Sequence, residues 1–219
     1  MQRKQFGDLI VRGLEGFELV LDNQRIDSLY AYFSELKRWN AKINLISKET
    51  SDEVIVENHL IDSLSLLSLL DEQCDYLADI GSGAGLPGLV CKIARPNLRI
   101  SLIEPRLKRV SFLRHIIRTC RLTGIDVQAN RIAPDVLLRS QEEFTVVVSR
   151  AVTDINQFLK MCDRFNRPSC RIICMKGRRY TSELRKAAPQ LINWNLVETK
   201  SYYLPFSRAE RALLVFQGC

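Results

Sequence analysis

Much that would narrow a function is missing from this 219-residue chain. No apolar run approaches the ~18 residues that a membrane span requires, so no transmembrane helix is expected. No Cys-x-x-Cys pair occurs among the seven cysteines, at 74, 91, 120, 162, 170, 174 and 219. The ligand spacing of a zinc site is therefore absent, and no metal is expected. The odd count fits buried, reduced thiols in a cytoplasmic protein. Cys170 and Cys174, four apart in an apparent strand, point to one face. The first residues, MQRKQFGDLIVRG, lack a long apolar stretch and a small-residue cleavage site, so no secretory signal is read there. Repeats, low-complexity tracts and proline- or glycine-rich linkers are also missing. The only histidines are His59 and His115, and no acid–base dyad stands out.

What is present is a basic chain with ample core material. Hydrophobic residues make up 46%, enough for one sizeable core or a core with a small appendage. The net charge is +7, which favours encounter with polyanions and so points weakly to nucleic acid. The spacing divides the chain at 72/73. Residues 1–72 read as helices. Asp22 caps a helix with an apolar stripe of Ile26, Leu29, Tyr30, Phe33, Leu36 and Trp39. Thr50 and Glu53 have capping-box spacing before a second stripe that begins at Val54. Between these helices, WNAKINLIS reads as a tight connection.

Residues 73–219 alternate strand and helix. Strands are predicted at 76–80, 98–103, 125–130, 144–151 and 171–177, with helices over 86–94, 106–121, 154–164 and 181–191. The 106–121 helix is expected to bury Leu107, Val110, Leu113, Ile117 and Cys120. NLVETKSYYLP and RALLVFQ then read as a hairpin that brings an antiparallel strand to the end of the sheet. The architecture expected is α/β, a doubly wound parallel sheet with its last strand reversed and a helical N-terminal extension.

Ligands of such a sheet bind beyond the carboxyl ends of its strands. Five strand ends carry polar or glycine residues: Asp79–Gly85, Glu104, Asn130 with Arg131, Arg150, and Lys176 with Gly177. The loop LADIGSGAGLPG admits two ligands. Gly83, Gly85 and Gly88 fit GxGxxG, with Glu104 at about the ~20-residue distance expected of a ribose-binding acid, which would suit a compact NAD- or FAD-binding oxidoreductase. Asp79 argues against this, because it would sit beside a pyrophosphate, and no second substrate domain follows. The other candidate is S-adenosylmethionine, a phosphate-free sulfonium for which an acidic strand end is favourable. The residues expected around it are Asp79, Gly81, Ser82, Gly83 and Gly85, with Glu104 on the ribose hydroxyls. A third reading is a non-catalytic RNA-binding protein with a vestigial adenosine pocket.

WNAKINLIS, ENHLIDSL, DIGSGAGLPG, KRVSFLR, VVSRA and MKG occur in that order. Together they resemble the small-subunit ribosomal RNA methyltransferase G family, also called glucose-inhibited division protein B, over about residues 30–177. The resemblance implies a class I methyltransferase (Rossmann-like) core that transfers a methyl group from S-adenosylmethionine to N7 of a guanine in the decoding region of 16S ribosomal RNA. It places Gly81, Leu86, the backbone around Ile132 and Ala133, and Arg150 on the cofactor. Arg150 is also the candidate for positioning the base. Ala133 stands where the family usually has an acidic residue, so backbone groups or Asp135 would hold the adenine end.

No general base is expected, since N7 carries a lone pair and no proton. His59 is read as a structural hydrogen-bonding residue. Phosphate contacts are assigned to Lys108, Arg109, Lys176 and Arg178, near the strand ends; Arg106, Arg114, Arg118, Arg121, Arg179, Arg208 and Arg211 are left open. The partner is 16S ribosomal RNA or the small ribosomal subunit, and the chain is expected to be a monomer.

Overall fold

The computed structural model describes residues 1–47, 50–71, 75–133, 136–150 and 153–219. The first helices are α1 (Arg3–Leu14) and α2 (Asn23–Asn40). A continuous helical run over 52–69 follows, made of α3 (Asp52–Ile55), a π-helix (Val56–Ile61), α4 (Asp62–Leu64) and a 3-10 turn (Ser65–Leu69). The alternating part comprises β1 (Tyr76–Ile80), α5 (Gly88–Ala94), β2 (Arg99–Ile103), α6 (Leu107–Thr119), β3 (Ile125–Gln128), β4 (Val146–Arg150), α7 (Ile155–Met161), β5 (Arg171–Gly177), α8 (Tyr180–Ala187), β6 (Trp194–Tyr203) and β7 (Glu210–Gly218).

The sheet order is β3-β2-β1-β4-β5-β7-β6. The first five strands pair in parallel. β7 is antiparallel to both β5 and β6, so the reversed strand lies inside the sheet and β6 forms its edge. Strand order reverses between β1 and β4, which opens a crevice at their carboxyl ends.

Alternation along each strand feeds two cores. Leu77, Ile100, Leu102, Val148, Ile173 and Leu213 face α5, α6 and the N-terminal helices in one cluster. Ala78, Ile80, Val147, Ile172, Cys174 and Leu214 face α7, α8 and Phe165 in the other. The helices of the first 69 residues therefore cover one face of the sheet together with α5 and α6.

Asp22 caps α2 as expected, with Oδ1 accepting from the Arg25 amide at 2.8 Å. Three local expectations change. Ser51, not Thr50, caps α3, its Oγ accepting from the Val54 amide, while the Thr50 hydroxyl donates back to the Ser47 carbonyl. Leu107 is 71% exposed because it opens the first turn of α6 beyond the packed face, which is built from Val110, Phe112, Leu113 and Ile116. Cys219 is exposed at the chain end, although Cys91, Cys162, Cys170 and Cys174 are buried as free thiols. Cys74 and Asp135 lie outside the described residues. Among the described residues no helix is long and apolar enough to cross a membrane, and no group of histidine, cysteine and acidic side chains could hold a metal.

Candidate functional site

A cavity of about 870 Å³ opens at the crevice between β1 and β4. Four of the five predicted strand ends line it: Gly81–Ala84 with Leu86 after β1, Glu104–Arg106 after β2, Arg150 at the end of β4, and Lys176 with Gly177 at the end of β5. Asn130 and Arg131 are not among the lining residues. The opposite wall comes from Leu45 and Ile46 in the loop after α2, from Asn58, His59 and Asp62 of the helical run over 52–69, and from Arg211 of β7.

The glycine loop is held from beneath. Amides of Gly81 and Ser82 donate to the Ile103 carbonyl at 2.8 and 3.2 Å, and those of Gly85 and Leu86 to the Ser82 carbonyl at 2.7 and 3.0 Å. The Gly83 amide donates to Glu104 Oε2 at 2.9 Å. Gly85 has φ of +84°, and a Cβ there would fall 2.4 Å from Leu89 Cδ1. Side chains are thus excluded twice over. Above the loop, the Tyr32 hydroxyl of α2 donates to the Ala84 carbonyl at 2.8 Å.

Glu104 is 2% exposed. Its Oε1 accepts from the Arg106 amide at 2.9 Å, and Arg109 Nη1 lies 3.8 Å from Oε2. Each carboxylate oxygen keeps a lone pair for a further donor.

Asp79 behaves differently from expectation. It is fully buried under the loop and does not line the cavity. Its Oδ2 accepts from the Gly88 amide at the start of α5 at 3.0 Å, while Oδ1 has no partner. Burial, opposed by that amide, pushes its carboxyl up to about 7 from 3.8. The folded state then binds the proton more tightly than the unfolded chain. Stability associated with Asp79 is present below pH 4 and is lost as pH rises through about 7, by roughly 4 kcal/mol in all. Asp79→Asn should flatten this slope in urea unfolding series between pH 5 and 8. An unchanged slope would show that Asp79 ionises normally.

Gly85, Ile132 and Ala133 also fall outside the cavity wall. Gly85 turns inward against Leu89, Ile132 packs into the second core, and the Ala133 carbonyl accepts from Arg164 Nη2 at 2.7 Å.

One polar network, joined through Asp62, was not legible in the sequence. Arg150 Nη1 donates to the Asn58 carbonyl at 2.8 Å and sits 3.3 Å from Asp62 Oδ2, and its Nη2 is 3.1 Å from His59 Nδ1. Asp62 is further bonded by the Tyr202 hydroxyl at 2.8 Å and approached by Arg211 Nε at 3.4 Å. Burial, reinforced by Arg150 and Arg211 and opposed weakly by the Asn58 carbonyl, holds His59 down at about 3. Polar residues punctuating the otherwise apolar stretch 54–67 were the available signal.

Of the candidate phosphate contacts, Lys108 and Arg178 are exposed and Arg109 lines the cavity mouth. The Lys176 ammonium is committed internally, 2.6 Å from Glu183 Oε1 and 2.8 Å from the Thr153 carbonyl.

The donor set discriminates between the two cofactor readings. A pyrophosphate is held by free amides at the glycine turn and helix start. Here the Gly81, Ser82, Gly83 and Gly88 amides already have partners, and the Gly88 partner is a carboxyl group. What faces the cavity is a carboxylate with spare acceptor capacity, which suits ribose hydroxyls and a cationic ligand.

Comparison with known proteins agrees. Residues 25–213 match the family model described as rRNA small subunit methyltransferase G. The ribosomal RNA small subunit methyltransferase G of Desulfotalea psychrophila is 48% identical, with 97% of this chain and 98% of that protein covered. Its namesake in Syntrophotalea carbinolica is 36% identical over 91% and 92%. Among solved structures, a mutant of MtNAS in complex with S-adenosylmethionine aligns with a TM-score of 0.58 at 15% identity, covering 89% of this chain and 76% of that one. The fibrillarin/Nop5p complex gives 0.54 at 12%, covering 73% and 84%. The structural neighbours establish the fold, and the match along nearly the whole sequence places this chain in the rRNA small subunit methyltransferase G family.

Proposed function

We propose that this enzyme methylates N7 of a guanine in the decoding region of 16S ribosomal RNA, with S-adenosylmethionine as donor. The observation that carries the reading is the cavity itself: a glycine loop in which the Gly81, Ser82, Gly83, Gly85 and Leu86 amides have internal partners, facing the buried Glu104 carboxylate. When bound, S-adenosylmethionine supplies a methyl group on an electrophilic sulfonium. Glu104 takes the ribose hydroxyls, and Gly81, Ser82, Gly83 and Leu86 let the backbone approach the rest of the ligand. The helices of residues 1–72 form an extension that walls the acceptor side, and residues 73–219 form the methyltransferase core.

No side chain has to move a proton. N7 offers a lone pair and would take the electrophilic methyl group directly, with no proton to remove. Catalysis rests on alignment and exclusion of water. His59, held at about 3, stays neutral throughout the working range. A limb of the pH–rate profile near 6.5 that vanishes in His59→Gln would overturn this. The deciding assay is transfer of labelled methyl to small subunits and to naked 16S RNA, with nucleoside analysis. 7-Methylguanosine is the expected product, and no incorporation into either substrate would sink the reading.

Tyr32 acts through the loop. Tyr32→Phe leaves the buried Ala84 carbonyl unpaired, at a cost of about 1–3 kcal/mol. S-adenosylmethionine affinity by calorimetry should fall about tenfold, and unchanged affinity would reject the pinning role.

RNA grip falls to exposed cations that adjoin the cavity lining, Lys108 beside Arg109 and Arg178 beside Gly177. Lys108→Ala with Arg178→Ala should lower the slope of log affinity against log salt by about 2 for the small subunit. An unaltered slope would remove both from the phosphate-binding surface.

A further inference from the structure

The π-helix Val56–Ile61 delivers Asn58 and His59 side by side into the cavity wall facing the glycine loop. Each touches an arginine from a different strand. Arg211 Nη2 of β7 lies 3.1 Å from Asn58 Oδ1, and Arg150 Nη2 of β4 lies 3.1 Å from His59 Nδ1. A guanidinium has no acceptor, so the polarity of both contacts is forced. Asn58 must present its oxygen to Arg211, which turns its amide nitrogen outward as a donor. His59 must accept at Nδ1, which puts its proton on Nε2. Asp62 lies between the two arginines and offsets one of their two positive charges. The ring is held neutral, so protonation does not undo the arrangement within the working pH range.

The cavity therefore offers two donors of set polarity, while the acceptor atom of each side chain is already engaged by an arginine. The position-6 group next to N7 separates the purines. Guanine has an O6 acceptor there, adenine an N6 amino donor. We propose that Asn58 and His59 form the base-reading edge of this cavity, binding guanine O6 through their amide and imidazole N–H groups and rejecting adenine. This rests on the guanine-N7 reading above. Arg150 and Arg211 are positioning residues that set the polarity.

The test uses small subunits assembled from ligated 16S RNA that carries either guanine or 2-aminopurine at the methylated position. The analogue keeps N7 and lacks O6. His59→Ala and Asn58→Ala should each lower kcat/KM for the guanine substrate by about tenfold to a hundredfold. On 2-aminopurine both variants should stay within about threefold of the unaltered chain, which will itself have lost the O6 bonds. Calorimetry with S-adenosylmethionine checks that the variants fold and keep their cofactor site. Equal losses on the two substrates, or none on guanine, would overturn the proposal, as would loss of cofactor binding in both variants. Failure of the unaltered chain to methylate the guanine substrate would instead sink the underlying functional reading.

Discussion

Replacing Glu104 by alanine is expected to abolish S-adenosylmethionine binding at any concentration that calorimetry can reach. Two effects combine. Charge-assisted hydrogen bonds to a carboxylate are worth about 1.5–3 kcal/mol each, so two ribose contacts amount to roughly a thousandfold in affinity. The same carboxylate also accepts from the Gly83 and Arg106 amides, at 2.9 Å each. Without it the loop after β1 loses its tie to the end of β2, and the Arg109 guanidinium loses its partner. Glu104→Gln separates the two effects. It can still accept at one oxygen and should bind weakly, while Glu104→Ala binds not at all. Affinity in Glu104→Ala within tenfold of the unaltered chain would show that the cofactor's sugar lies elsewhere.

The second large effect concerns stability. A Cβ at Gly88 would meet Leu102 Cδ2 at 2.5 Å, Asp79 Oδ2 at 2.8 Å and Asp79 Cβ at 3.1 Å. None of these atoms has room to withdraw, because Leu102 and Asp79 are fully buried in adjacent strands. Gly88→Val must push α5 off the sheet and strip the Asp79 carboxyl of its single amide partner. Overpacking of a filled core costs about 1–3 kcal/mol, and an orphaned buried carboxyl adds to it. At 2–4 °C per kcal/mol for a domain of this size, the melting temperature should drop by roughly 10 °C. A drop of less than about 3 °C would mean that α5 is loosely seated.

The parts of the fold that were legible are those that a local pattern dictates. β1 and β5 begin and end where the sequence places them, because each is an apolar run closed by a glycine or a polar residue. The glycine loop, Glu104 and Arg150 were found because strand ends follow from such runs. Thr50 has the acidic Glu53 three positions on, as a capping box requires, whereas Ser51 has Val54, so the local pattern favoured Thr50 and only the chain's direction into α3 selects Ser51. The interior position of Asp79 was invisible, since a strand-end acid can face the crevice or the helix behind it. The acceptor-side wall was hidden for a different reason. Asn58, Asp62 and Arg211 come together only when segments some 150 residues apart meet.

Glu57 shows what that long reach entails. Its carboxylate Oε1 takes the amides of Phe206 and Ser207 in the turn between β6 and β7, at 2.6 and 2.7 Å. This clasp joins an early helix to the final hairpin, and nothing made in between can substitute for it. The cofactor loop is tied by contacts among residues 79–104, whereas the opposite wall is completed by the last hairpin. The acceptor-side wall is therefore the part of the pocket that depends on both ends of the fold, because the Glu57 clasp and the Arg211–Asn58 contact both need the last hairpin in place.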